Sequence, residues 1–384
     1  MSKVYLDNAA TTPLDEKVID TMVEAMRLSY GNPSSTHSIG QEAKALIEGV
    51  RRQVADYLKV QPGEIIFTSC GTESNNMIIR GCVEHLGVER IITSPMEHKC
   101  VAESIRDMKA RRNVEVVYLK PDRMGDIPLV QLEEALKNSE KKTLVSLMHA
   151  NNEIGNLLDI KKVGDICAEH SALFHSDTVQ TIGHLDLDFS EINIDFASCS
   201  AHKFHGPKGA GFAFIRKNSR LKPMFYGGSQ ERELRAGTEN VCGIVGLGKA
   251  MELSMENLPE YRKKISEIKE YAVSRLREAI PGIKFNGHSA ESHSLYTVLS
   301  VLLPFSNPLI GLQLDMKGIA VSQGSACSSG AGKPSMVMLS ILDAYELEHC
   351  TPLRVSFSHQ TTTEDIDRLA SALKELYDEK PGNS

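Results

Sequence analysis

Along the first two thirds of the chain, short apolar runs alternate with longer segments of helical period. Runs at 64–68, 90–93, 114–119, 144–148, 172–175, 194–199 and 210–215 are four to six residues long and apolar throughout or nearly so. Runs of that length read as strands buried on both faces. Between them, 41–58, 73–86, 130–137 and 160–170 carry apolar residues at helical spacing. Strand–helix alternation of this kind predicts a mostly parallel sheet with helices on both faces. In such folds ligands bind in loops beyond the carboxyl ends of the strands. Pro and Gly punctuation at 221–228 leads into a charged helical stretch over 246–280, followed by strands at 295–303 and 353–357 and a helix at 364–377. The chain is too long for one simple core. We therefore expect an α/β architecture: a large domain over 16–259, and a smaller α+β domain built from 1–15 and 260–384. No internal repeat and no low-complexity tract is visible.

Composition narrows the class without naming it. Of 384 residues 41% are hydrophobic and 24% charged, the balance of an ordinary globular protein. A net charge of −7 leaves no basic footprint for nucleic acid. No apolar stretch approaches the roughly 20 residues a membrane span needs. Met1 to Asn8 lacks the apolar core of a signal peptide. The eight cysteines include no C-x-x-C pair, which predicts no metal site and free thiols in a reducing cytoplasm.

The candidate chemistry lies at predicted strand ends. Ser200-Ala201-His202-Lys203 closes the run 194–199. A lysine there is poorly placed for a solvated charge and well placed to condense with an aldehyde. Burial and cationic neighbours favour the neutral, nucleophilic amine. Small residues at Thr68 to Ser74 join a strand to a helix, and read either as a helix N-cap on Thr72 or as a phosphate-binding turn. Asp177 follows another strand, and reads either as a cap or as a carboxylate facing a pyridinium N–H. His98 reads either as a satisfied loop histidine or as a ring-stacking proton shuttle. Asn152 sits in a polar loop, Asn151 to Gly155, after a fourth strand. Cys327 stands in the Gly/Ser-rich stretch 322–332, a flexible-loop composition in which a thiol is exposed and reactive. Arg354 lies among apolar neighbours, and wants a carboxylate from the protein or from an amino-acid substrate.

Read in order, these segments resemble the cysteine desulfurases of the NifS/IscS-like class, within the aspartate-aminotransferase type of pyridoxal-phosphate fold. The resemblance runs nearly end to end. It includes Tyr5 to Pro13, Gly31 to Ser35, Gly71 to Asn75, Glu97-His98, Asn151 to Gly155, Asp177 to Gln180, Ser200 to Lys203, Arg235 to Asn240 and Gly324 to Cys327. It implies pyridoxal 5'-phosphate as cofactor, with Lys203 as the Schiff-base lysine. Gly71, Thr72, Ser200 and His202 would hold the phosphate, with Thr238 reaching a partner's site across a homodimer. Asp177 would face the ring nitrogen, Gln180 the ring hydroxyl, and His98 would stack on the ring. Asn152 and Arg354 would hold the carboxylate of L-cysteine. Cys327 would take up sulfur as a persulfide, leaving alanine, and pass it to an acceptor protein such as an iron–sulfur scaffold or a thiolation relay. A selenocysteine lyase or an aminotransferase on the same scaffold, and a non-catalytic sulfur-transfer partner, are the competing readings. The sequence departs from the class at Gln323, at Ser358-His359-Gln360 and in the tail 378–384. These departures bear on the partner rather than on the chemistry.

Overall fold

The computed structural model describes residues 3–217, 219–323 and 334–379. Cys327 and the tail 380–384 lie outside the described residues. Seven strands form the main sheet: β2 (Ile65–Thr68), β3 (Arg90–Thr93), β4 (Glu115–Tyr118), β5 (Thr143–Ser146), β6 (Leu173–Asp177), β7 (Phe196–Ser200) and β8 (Gly211–Ile215). Their spatial order is β2-β8-β7-β6-β5-β3-β4. Strands β3 to β7 run parallel, and β8 is antiparallel to both of its neighbours.

Successive side chains on a strand face opposite sides of a sheet. Here the two sides are two cores. Ile65, Phe67, Ile92, Val145 and Ala197 enter one, together with α1 (Glu16–Leu28), α2 (Ser38–Leu58), α5 (Leu129–Lys137), α6 (Ile160–Glu169) and α7 (Val241–Glu256). Their sequence neighbours Ile66, Ile91, Leu144 and Phe196 enter the other, under α3 (Gly71–Leu86) and α4 (Lys99–Arg112). Burial on both faces explains why these strands are continuous apolar runs rather than alternating ones.

A third core gathers Val4 and Leu6 with residues from Ile265 onward. It packs α8 (Leu258–Ala279) and α12 (Thr363–Asp378) against an antiparallel sheet of order β12-β10-β9: β9 (Lys284–Phe285), β10 (Val298–Leu303) and β12 (Thr351–Ser356). The N-terminal β1 (Val4–Tyr5) pairs in parallel with β11 (Ile319–Ala320). Short helices α9 (Ile310–Met316) and α11 (Ala344–His349) complete this region, and α10 (Met336–Ile341) packs instead against Met96 and Ile154. The helix read over 246–280 is in fact two, α7 and α8. They meet at Asn257, whose side-chain Nδ2 donates to Leu253 O at 2.8 Å, and Pro259 stands at the start of α8. A proline is tolerated in a first turn and interrupts a helix interior.

Strand β2 is an edge, and its free backbone groups are capped from far away in sequence. The Glu231 carboxylate accepts from Phe67 N at 2.7 Å, and Arg51 donates to Ile65 O at 2.6 Å. Arg51 and Glu231 are themselves paired two-pronged at 2.7 and 2.8 Å, both buried. Covering the edge removes a template for pairing with another chain.

Candidate active site

The carboxyl ends of β2, β3, β5, β6 and β7 open onto one cavity of about 540 Å³. Gly71 and Thr72, His98, Asn152, Asp177 and Gln180, Ser200, His202 and Lys203 all line it, and Arg354 of β12 closes one side. The fold thus brings together residues spread over nearly 300 positions.

Helix α3 presents its N-terminus to this cavity. Its N-cap is Cys70, and no side chain caps the first turn. The expectation of a Thr72 cap is not met: Thr72 is already helical, and its carbonyl accepts from Asn76 Nδ2 at 2.9 Å. Uncapped N–H groups of a 16-residue helix face the cavity with the positive end of the helix dipole. Gly71 is required there on steric grounds, since a Cβ would come 2.5 Å from a Val179 methyl. Beside this turn the Ser200 hydroxyl is buried with no hydrogen-bond partner. An orphaned hydroxyl next to free helix N–H groups fits an anion. His202 completes the arc. Its Nδ1 lies 3.1 Å from Thr11 Oγ1, and burial, reinforced by the Lys203 and Lys208 charges, lowers its pKa to about 4. It is therefore a neutral imidazole at neutral pH.

Opposite lies a buried chain of hydrogen bonds ending on a carboxylate. Asp177 accepts from Asn75 Nδ2 at 2.8 Å and from Val179 N at 3.0 Å. Because Asn75 donates with its amide nitrogen, its Oδ1 accepts from His175 Nε2, 3.0 Å away. His175 Nδ1 is then the acceptor of the Ser146 hydroxyl at 2.9 Å. Burial lowers the His175 pKa to about 4, which agrees with this neutral tautomer. Three side chains thus fix one carboxylate orientation.

Lys203 Nζ donates to the carbonyls of Ala9 and Ala10 at 2.7 and 2.8 Å, and Gln180 Nε2 to Ala9 at 3.0 Å. The N-terminal segment therefore frames the lysine, which the sequence order alone does not reveal. His98 caps α4: its Nδ1 accepts from Cys100 N at 3.2 Å, so the ring proton resides on Nε2. Burial lowers the His98 pKa, partly opposed by Asp177 and assisted by Lys203 and Lys99. Arg354 is buried. It donates to Asp7 Oδ1 and to Asn152 O, both at 2.9 Å, and its Nε has no partner. Both carboxylate sources foreseen for it remain open, since it holds a protein carboxylate and keeps one N–H unpartnered.

Thr238 is exposed and does not line this cavity. Arg235, three residues earlier, is fixed to the first turn of α3 by Glu73 at 2.9 Å.

Some lining residues carry no role that the sequence alone assigns. Asn75 is one, although its i+3 spacing from Thr72 on α3 places it on the same helix face. Cys100, 2.9 Å from His98 Nδ1, is another, its thiol pushed up to about 12 chiefly by burial. Glu97 and Glu153 are two more. Burial raises the pKa of both carboxyls, and Glu153 Oε2 accepts from Ser335 Oγ at 2.6 Å.

Comparison with known proteins places this geometry. The family model for aminotransferase class-V matches residues 4–369. A protein of Dictyoglomus turgidum named cysteine desulfurase IscS is 39% identical over 377 residues, covering 97% of this chain and 94% of its own. A solved NifS-like protein superposes with a TM-score of 0.87 at 36% identity, over 97% of this chain and 99% of its own. A structure described as SspA in complex with cysteine superposes with a TM-score of 0.77 at 31% identity, over 94% of this chain and 100% of its own.

Proposed function

The chain belongs to the class-V aminotransferase family and is a cysteine desulfurase, and from that premise we propose how its residues divide the work. The observation that carries the reading is the convergence, in one cavity, of Lys203, the fixed Asp177 carboxylate and the α3 N-terminus beside the orphaned Ser200 hydroxyl. That donor set fits pyridoxal 5'-phosphate: uncapped N–H groups and a hydroxyl for the phosphate, a carboxylate for a pyridine nitrogen and an amine for the aldehyde. Bound there, the cofactor supplies an electron sink for the substrate's Cα.

The protein's own residues do the rest. Gly71 and Thr72, through the α3 N-terminus, hold the phosphate with Ser200 and His202. His202 donates from Nε2, because its Nδ1 is engaged with Thr11. Asp177 would hold a proton at the ring nitrogen, and Gln180 would serve the ring hydroxyl. Lys203, once its amine is free, removes the proton from the substrate Cα. Asn152 and the unpartnered Nε of Arg354 hold the substrate carboxylate of L-cysteine. The Cys327 thiolate attacks the substrate sulfur. A sulfur–sulfur bond forms, the carbon–sulfur bond breaks, and its electron pair stays on the carbon that becomes the alanine methyl. His98, with its proton on Nε2, would protonate that carbon. Thr238 serves a partner's site in a homodimer, and the persulfide passes to an acceptor such as an iron–sulfur scaffold or a thiolation relay. Cys70, Cys82, Cys100, Cys167, Cys199 and Cys242 are free thiols, in keeping with a cytoplasmic setting. No described helix is long and apolar enough to cross a membrane.

The test is turnover. Purified protein given L-cysteine and a thiol reductant releases alanine and sulfide in equal amounts. Transamination without alanine, or no turnover of a cofactor-loaded protein, would overturn the reading. Turnover of L-selenocysteine far above that of L-cysteine would favour the selenocysteine lyase alternative.

A further inference from the structure

Between β9 and β10 the chain reads Gly287-His288-Ser289-Ala290-Glu291-Ser292-His293-Ser294. Successive turns organise it, with Glu291 N donating to His288 O at 2.8 Å and Ser294 N to Glu291 O at 3.3 Å. Both ends are pinned inward. His288 N donates to Asn156 Oδ1 at 3.0 Å, and the buried Lys269 donates to Ser294 Oγ at 2.8 Å and to Leu295 O at 3.0 Å. The backbone is thus held while His288, Glu291 and His293 turn toward one another.

Glu291 Oε2 lies 3.0 Å from His288 Nδ1 and 3.2 Å from His293 Nε2. Tetrahedral Zn–N and Zn–O bonds of about 2.0–2.1 Å imply ligand-to-ligand edges of about 3.3 Å. Both distances match that edge. The far side of the His288 ring, Nε2, lies 2.8 Å from Asp126 Oδ2. With Nε2–H donating to Asp126, Nδ1 faces the Glu291 carboxylate, and the position between them takes a proton in the imidazolium form or a metal ion in its place. A carboxylate behind a ligating imidazole is also the usual way its ring is oriented and its basicity raised. His288 and His293 line a separate cavity of about 260 Å³ together with Asp126 and Asp159, which leaves room for water as a further ligand. None of them lines the cavity around Lys203.

We propose that His288, Glu291 and His293 bind a divalent transition-metal ion of borderline softness, such as Zn²⁺, with Asp126 orienting His288. Two imidazoles in three ligands select against Mg²⁺ and Ca²⁺ and for the later first-row ions. Asp126 belongs to the Asp122–Asp126 turn, whereas the ligands belong to the loop over the third core. An occupied site therefore ties these two parts of the chain together.

Co²⁺ is the probe, added to the cofactor-loaded protein purified free of metal. The wild type takes up one Co²⁺ per chain more than His293→Ala does. The difference spectrum carries visible ligand-field bands without the near-ultraviolet charge transfer of thiolate ligation. His293→Ala and the isosteric Glu291→Gln weaken that uptake by about 100-fold or more, and Asp126→Asn by about 10- to 100-fold. Melting of the metal-free variants shows that they are folded. In the wild type alone, the melting temperature rises with free Co²⁺. Equal uptake by wild type and His293→Ala, or a difference spectrum dominated by thiolate charge transfer, would overturn the assignment.

Discussion

Replacing Ser200 by alanine should move two quantities in opposite directions. The Ser200 hydroxyl is buried without a partner beside the uncapped N-terminus of α3. Leaving such a group unsatisfied costs about 1–3 kcal/mol, so removing it should stabilise the cofactor-free protein by up to that amount. For a cooperative unit of 150–250 residues, each kcal/mol is roughly 2–4 °C in melting temperature. If the hydroxyl donates to the cofactor phosphate, its loss removes a hydrogen bond to a charged group, worth about 1.5–3 kcal/mol. At 1.36 kcal/mol per decade that is roughly a 10- to 150-fold weaker affinity. The assay pairs calorimetric melting of the stripped protein with absorbance titration by pyridoxal phosphate, on wild type and Ser200→Ala. A stripped variant that melts lower, together with unchanged cofactor affinity, would refute the reasoning: the hydroxyl would then have a structural partner and no anion to serve.

Other expectations follow from the same geometry. Lys203→Ala abolishes turnover, and borohydride reduction of the loaded wild type fixes the cofactor on Lys203; label on Lys99 or Lys208 would contradict this. Arg354→Ala lowers kcat/KM for L-cysteine by about ten- to a hundred-fold or more, whereas Asp7→Asn, which spares the cation, lowers it less; equal losses would assign Arg354 to Asp7 alone. Burial lowers the pKa of His149 and His175 to about 4. The unfolded chain therefore takes up protons that the folded one refuses as pH falls below about 6.5, and stability is lost on the acid side. Between pH 6.5 and 5 each contributes about 1.5 kcal/mol of loss. Urea melts of His149→Gln should show a shallower decline than wild type, and parallel curves would count against it. Glu231→Gln, which leaves the buried Arg51 with only the more exposed Glu48 as a charged partner, should cost a part of the about 3–5 kcal/mol of a fully stranded charge in the same assay.

The main sheet was legible because its central strands are buried on both faces and so stand out as apolar runs. Ile65 to Phe67 and Arg90 to Thr93 fall where the pattern puts them. The antiparallel run of β8 was not legible, since a doubly buried strand reads the same in either direction. The break between α7 and α8 was written in Pro259 but masked by helical periodicity on both sides of it. Short helices such as α10 and α11, six residues each, carry too few turns to declare a period. Within the site, the strand-end residues were readable because the chemistry sits where strands stop. The Ser146–His175–Asn75–Asp177 chain was not, because its links join residues up to 102 positions apart through hydrogen bonds alone. The Asp7 partner of Arg354 is hidden for the same reason, 347 positions away.

The central claim is that sulfur leaves L-cysteine for one thiol of this chain, Cys327. Loaded wild type and Cys327→Ser are incubated with sulfur-labelled L-cysteine, digested without reductant, and the labelled peptide is identified while alanine is assayed. Label is expected on the Cys327 peptide of the wild type alone, with almost no alanine from the variant, which still binds cofactor. Label on a peptide bearing Cys70 or Cys100, both of which line the cavity, or alanine released by the variant at the wild-type rate, would contradict it.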